Sequence, residues 1–163
     1  MLRDKNLIPL SHQHQRALAL CVRIDRAQPI PESDLGVWQI EIEQEFEQEI
    51  KFHFAAEEEV IFPAAHRFPE LVPLVEELIS EHDLLREYFL QASTRNMTTG
   101  VLPVFARHFS DHIRKEERRL FERMQQLMEP AELSEIGIRL EAAFKNATHA
   151  CRLPNAATIL KAK

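Results

Sequence analysis

His53-Phe54-Ala55-Ala56-Glu57-Glu58 and His112-Ile113-Arg114-Lys115-Glu116-Glu117 are two copies of one device, each followed at the same offset by a phenylalanine, Phe62 and Phe121. A step of four residues puts two side chains on one face of an α-helix, with Cβ atoms about 5–6 Å apart. Each copy therefore sets an imidazole beside a carboxylate if the stretch is helical. Each has a further histidine upstream, His14 and His82. A half-site of this kind, duplicated and faced against its copy, suggests a two-metal centre.

Prolines divide the chain into helical stretches. Residues 10–27 read as a first helix, which Pro29 and Pro31 break. Ser33 or Asp34 can cap a second helix that runs to about Phe62, before Pro63. Pro69 and Pro73 stand at the start of a third, which reaches about Ser93. Asn96-Met97-Thr98-Thr99-Gly100 reads as a loop. A fourth helix tolerates Pro103 in its first turn and ends near Glu129-Pro130. A fifth is expected over about 132–149, with 152–163 as a loose tail, and no stretch reads as a strand.

Steps of three and four along each stretch give one apolar stripe per helix. They are Leu10, His14, Ala17, Cys21 and Ile24 in the first, and Leu35, Trp38, Ile42, Phe46, Ile50, His53, Glu57 and Ile61 in the second. The third gives Leu71, Leu74, Leu78, His82, Leu85 and Phe89, and the fourth Val101, Phe105, His108, His112, Glu116, Leu120, Met124 and Leu127. The expected fold is therefore all-α, an up-down-up-down four-helix bundle with the stripes inward and an additional C-terminal helix. It forms one domain over 1–163, with the bundle at about 7–129 and the last helix and tail at 130–163.

In every stripe the polar residues lie between core residues. Burying an unpaired carboxylate costs several kcal/mol even after relaxation, on the order of what a whole core side chain contributes. Five histidines and two glutamates in one core layer need a compensating charge, and two divalent or trivalent ions supply it. Imidazole and carboxylate donors suit iron, manganese or zinc, and the lack of cysteine in this layer argues against an iron–sulfur cluster. The candidate metal residues are His14, His53, Glu57, His82, His108, His112 and Glu116.

The remaining polar residues have plainer readings. His12 is two positions from His14 and points elsewhere, His66 lies in a connector, and His149 suits the end of the last helix. His108, one turn before His112, can reach the metal layer, donate to a ligand or fill space at its edge. Glu58, Glu59 and Glu117 are expected at the surface or in support of the ligands, because Glu117 is about 140° from His112 around the helix. The acidic run from Glu41 to Glu49 reads as the wet face of the second helix. Tyr88 faces away from His82, so no redox-active tyrosine is expected, and Trp38 and the phenylalanines belong to the core.

Composition narrows the function. With 163 residues, 45% of them hydrophobic, the chain can bury a full core. A net charge of −6 without a basic stretch excludes nucleic acid as the main partner. No apolar run is long enough to span a bilayer, and no signal-peptide core follows Met1. A cytoplasmic location is expected, with Cys21 and Cys151 as free thiols.

The pattern resembles the hemerythrin-like family, the HHE cation-binding domain. The resemblance rests on Leu10 to Leu18, on His53 to Pro63, on Glu81-His82-Asp83-Leu84-Leu85 and on His112 to Phe121, and covers roughly 10–128. It implies a bundle enclosing two Fe ions in an oxo- or hydroxo-bridged non-haem centre, with Zn or Mn as substitutes. His14, His53, His82 and His112 would be terminal ligands, His108 a fifth, and Glu57 and Glu116 the bridging carboxylates. Oxygen-carrying hemerythrins carry His-x-x-x-His on the third helix, whereas here Leu78 and Arg86 flank His82 at those steps. The layout is closer to relatives linked to iron, oxygen, nitric oxide or redox sensing and to iron-centre repair.

Three readings follow. The first is a diiron-binding protein that binds or senses O2, NO, iron or redox state, with a protein partner to read that state. The second is a diiron oxidoreductase or iron-centre repair protein acting on NO or peroxide. The third, a structural zinc site, needs only four ligands.

Overall fold

The computed structural model describes residues 1–145. All regular structure within them is helical. Helix α1 spans Ile8–Arg26. Helix α2 runs over 32–66 without a break, α-helical at Glu32–Glu45, Lys51–Ala56 and Phe62–His66 and opened into π turns at Phe46–Ile50 and Glu57–Ile61. Helix α3 is Val72–Ser93, preceded by the 3-10 turn Pro69–Leu71. Helix α4 covers 101–127, with a π turn at Glu116–Phe121 between Val101–Lys115 and Glu122–Leu127. Helix α5 is Pro130–Phe144. The expected end of the fifth helix at His149, the tail 152–163 and Cys151 lie outside the described residues.

Two boundaries differ from the sequence expectation. Neither Ser33 nor Asp34 caps α2 through its side chain. Pro31 holds the N-cap in an extended conformation, and its carbonyl accepts the Asp34 N–H at 3.0 Å. Nor does Pro63 end α2. A proline removes the N–H that would bond the carbonyl four residues back, here that of Glu59. Arg139 of α5 donates Nη2 to that carbonyl at 3.1 Å, so the helix continues to His66.

The chain direction alternates from helix to helix. One apolar cluster joins the C-terminal half of α1, the N-terminal half of α2, the C-terminal half of α3 and the N-terminal half of α4, through Ile24, Trp38, Ile42, Phe89 and Phe105 among others. The opposite cluster joins Leu10, Ile61, Leu74, Leu78, Leu120 and Met124 from the other halves. Only an up-down-up-down arrangement puts those halves together. Leu133, Ile136 and Leu140 of α5 close the second end. The polar layer of the stripes lies between the two clusters.

The acidic run on α2 is not all solvated, as the sequence suggested. Glu41 is only 2% exposed and pairs with Arg23, whose guanidinium also sits over Trp38. Gln39 is buried too, and its Oε1 accepts the Met97 backbone N–H at 3.0 Å. Glu49 pairs with Arg16 at 2.5 Å. The run thus turns one edge toward α1, whose arginines supply the opposite charge.

Candidate metal centre

Four helices each contribute to the polar layer. α1 brings His14, α2 brings His53 and Glu57, α3 brings His82, and α4 brings His112 and Glu116. All six are at most 2% exposed. The i,i+4 step holds within both devices, with His53 Nε2 at 3.2 Å from Glu57 Oε1 and His112 Nε2 at 3.2 Å from Glu116 Oε1.

The π turns explain the trailing phenylalanines. Both open at the carboxylate, at Glu57 and at Glu116. A π turn closes i to i+5, so residues five apart are brought onto one face, which an α-turn would separate. Phe62 and Phe121 therefore fall beneath the layer. Phe121 stacks on the His14 ring at 5.7 Å and Phe62 lies 5.2 Å from the His82 ring. Phe54 stacks on the His82 ring at 3.9 Å.

The two carboxylates divide their oxygens between two positions. Glu57 Oε1 faces His53 and His14 (3.7 Å from His14 Nε2), while its Oε2 faces His82 Nε2 at 3.4 Å. Glu116 does the same in reverse, with Oε2 at 3.2 Å from His14 Nε2 and Oε1 turned toward His112 and His82. Two groups result, His14, His53, Glu57 and Glu116, and Glu57, His82, His112 and Glu116. Within each, one donor atom per residue lies within 4.8 Å of the others.

A ring of outer contacts fixes the imidazoles. Gln13 Oε1 of α1 lies 2.7 Å from His53 Nδ1 of α2, and Glu58 of α2 lies 2.9 Å from His82 Nδ1 of α3. Glu81 of α3 lies 2.8 Å from His112 Nδ1 of α4, and Glu117 of α4 lies 2.7 Å from His14 Nδ1 of α1. Each partner is the sequence neighbour of a site residue on its own helix and grips the histidine of the next helix. The three carboxylates are themselves held by cations, Glu117 by Arg3 at 2.6 Å, Glu58 by Arg86 at 2.8 Å and Glu81 by Lys115. Because these acceptors take the Nδ1–H, every Nε2 points inward.

Inside the layer the polar atoms lack partners. Both oxygens of Glu57 and of Glu116, and Nε2 of His82 and His112, are buried with no hydrogen bond among the described residues. His14 Nε2 and His53 Nε2 are 2.9 Å apart, a distance at which two bare lone pairs repel. Buried polar groups are almost always paired, so six orphaned atoms in one layer call for cations. In the metal-free protein protons take that role. Burial would raise the Glu57 carboxyl, yet His53, His14 and His82 hold it well below the usual range. Burial and the Glu57 charge would raise Glu116, yet His112 and His14 bring it to about 2. Burial would lower His112, but Glu116 and Glu81 lift it to about 9. The donor set thus fits two metal ions, which compete with protons for the same lone pairs.

Of the seven candidate residues, the structure brings together six and leaves out His108. On α4 the core position one turn above His112 is taken by Phe109, which is 1% exposed. His108 lies to one side, half-buried, with Nδ1 at 3.1 Å from Tyr88 Oη. Gln13 and Glu81 were not singled out by the sequence. Their one signal is adjacency to His14 and His82, which does not reveal a partner on another helix.

A family model described as the hemerythrin HHE cation binding domain matches residues 9–124, well over half of the chain and all four site helices. Comparison with curated proteins and with solved structures returns no match. No helix among the described residues is long and apolar enough to cross a membrane. The chain belongs to the hemerythrin HHE cation-binding domain family.

Proposed function

We propose that this protein holds two iron ions and serves as a binding or sensing centre for a diatomic ligand, O2 or NO, or for redox state. His14 and His53 would hold one ion, His82 and His112 the other, with Glu57 and Glu116 shared between them. The observation that carries the reading is the division of each carboxylate's oxygens between two histidine pairs. Shared oxygens serve two ions, and a single structural zinc needs only four donors. Nitrogen and oxygen donors without thiolate suit iron.

Burial of the whole layer favours a small ligand over an organic substrate, since no site residue is more than 2% exposed. Bound iron would supply one-electron chemistry and affinity for diatomic molecules. The protein's own part is to orient four imidazoles through their Nδ1 contacts and to exclude bulk water with Phe54, Phe62 and Phe121. A protein partner would read out the state.

Metal analysis of anaerobically prepared protein, with optical spectra before and after O2 and NO, tests the proposal. Two irons per chain and a spectral change on adding gas are expected. One ion in fully loaded protein, or tight zinc with no affinity for iron, would overturn it.

A further inference from the structure

We infer that the two metal positions are unequal, and that Gln13 makes the His14–His53 position the weaker. The inference rests on the two-ion reading above. Around the ring of outer contacts, three imidazoles give Nδ1–H to a carboxylate: His14 to Glu117, His82 to Glu58 and His112 to Glu81. His53 alone gives it to a neutral amide, Gln13 Oε1 at 2.7 Å. The His82–His112 position therefore has two anionic supports, and the His14–His53 position has one.

A carboxylate on Nδ1–H pushes electron density toward Nε2 and stabilises the positive charge of an imidazole bound to a cation. An amide offers only a dipole. Outer partners of this kind typically change metal affinity by about 10–100-fold. Among the described residues no cation braces the Gln13 amide as the other outer partners are braced. Each of the three carboxylates is clamped by a cation, Arg3, Arg86 or Lys115. Arg16, three residues along α1 from Gln13, pairs with Glu49 instead.

The structure therefore assigns an order of filling and loss. The His82–His112 position fills first, and the His14–His53 position releases its ion first. Gln13 acts through His53 and is a positioning residue. Gln13→Glu changes charge without changing shape, so its effect isolates the missing anion.

The test is stepwise removal. Protein loaded with metal alone is titrated with EDTA, desalted, and analysed for ions remaining per chain. Wild type should lose one ion at a chelator concentration at least about tenfold below that needed for the second. Gln13→Glu should move the first step up by about tenfold toward the second, a gain of affinity that structural damage does not produce. Glu81→Gln should move the second step down toward the first. Loss of both ions in one step from wild type, or a first step unmoved or lowered in Gln13→Glu, would overturn the inference. A fully loaded wild type holding one ion would instead overturn the two-ion reading itself.

Discussion

Raising the pH from about 6.5 to about 9.5 should destabilise the metal-free protein by about 3 kcal/mol and leave the metal-loaded protein unaffected by the same cause. Among the site groups, His112 sets the magnitude. Burial would depress its imidazole, but Glu116 and Glu81 raise it from 6.5 to about 9. Each unit of difference between folded and unfolded chain is worth about 1.4 kcal/mol, which gives about 3 kcal/mol here. Because the folded value is the higher one, this stabilisation is complete below about pH 6.5 and disappears as the pH climbs through about 9. His14 and His82 are also raised against burial, His14 by Glu116, Glu117 and Glu57 and His82 by Glu57, Glu58 and Glu116, and they add to the loss. Glu57 and Glu116 are shifted downward, so their contribution is present above about pH 4.5 and is lost only as the pH falls well below that, through about 2 for Glu116. Metal-free protein should therefore be most stable between about pH 4.5 and 6.5. A metal ion needs the neutral imidazole and replaces its proton, so binding tightens as the pH rises. Thermal melts of stripped and loaded protein, run in parallel at fixed ionic strength, read this directly. Over that range the melting temperature of the stripped protein should drop by about 6–12 °C relative to the loaded protein. A stripped protein whose melting temperature stays level with that of loaded protein from about pH 6.5 to 9.5 would refute the assignment of protons to the layer.

Other consequences can be checked separately. Glu57→Ala and Glu116→Ala should each lose both ions by metal analysis, whereas Glu58→Ala should keep two ions per chain with affinity reduced about 10–100-fold; the reverse order would mean that α2 is rotated in its groove. His108→Ala should retain full metal content, because its Nδ1 contact is with Tyr88 rather than with the layer. Phe54→Ala should cost about 3–5 kcal/mol in urea unfolding, since the ring is fully buried and lies on His82; a loss under about 1 kcal/mol would show that the packing there is loose. The Cys21 thiol, which burial pushes up to about 12, should resist alkylation at pH 8 in native protein and react on unfolding, as mapped by peptide mass spectrometry.

Helical periodicity was enough to place His14, His53, Glu57, His82, His112 and Glu116 on buried stripes, because a step of four depends only on the backbone repeat. It misplaced His108, since His108 and Phe109 are both compatible with an inward stripe and only packing against α3 decides between them. Pro63 misled for a related reason. Its missing N–H would normally stop a helix, and the donor that relieves the Glu59 carbonyl, Arg139, comes from 80 residues later in the chain. The run Glu41 to Glu49 looked uniformly solvated until α1 brought Arg16 and Arg23 against it.

What the sequence determined by itself was the local half of the site: helical stretches, their inward faces, and an imidazole one turn from a carboxylate on two of them. Those relations are short-range and follow from the geometry of one helix. What only the tertiary structure decided was everything between helices. It split the oxygens of Glu57 and Glu116 across two histidine pairs, and it joined Gln13, Glu58, Glu81 and Glu117 to histidines 24 to 103 residues away. A contact of that kind depends on the rotation and height of two helices at once, and a sequence repeat specifies the rotation of one.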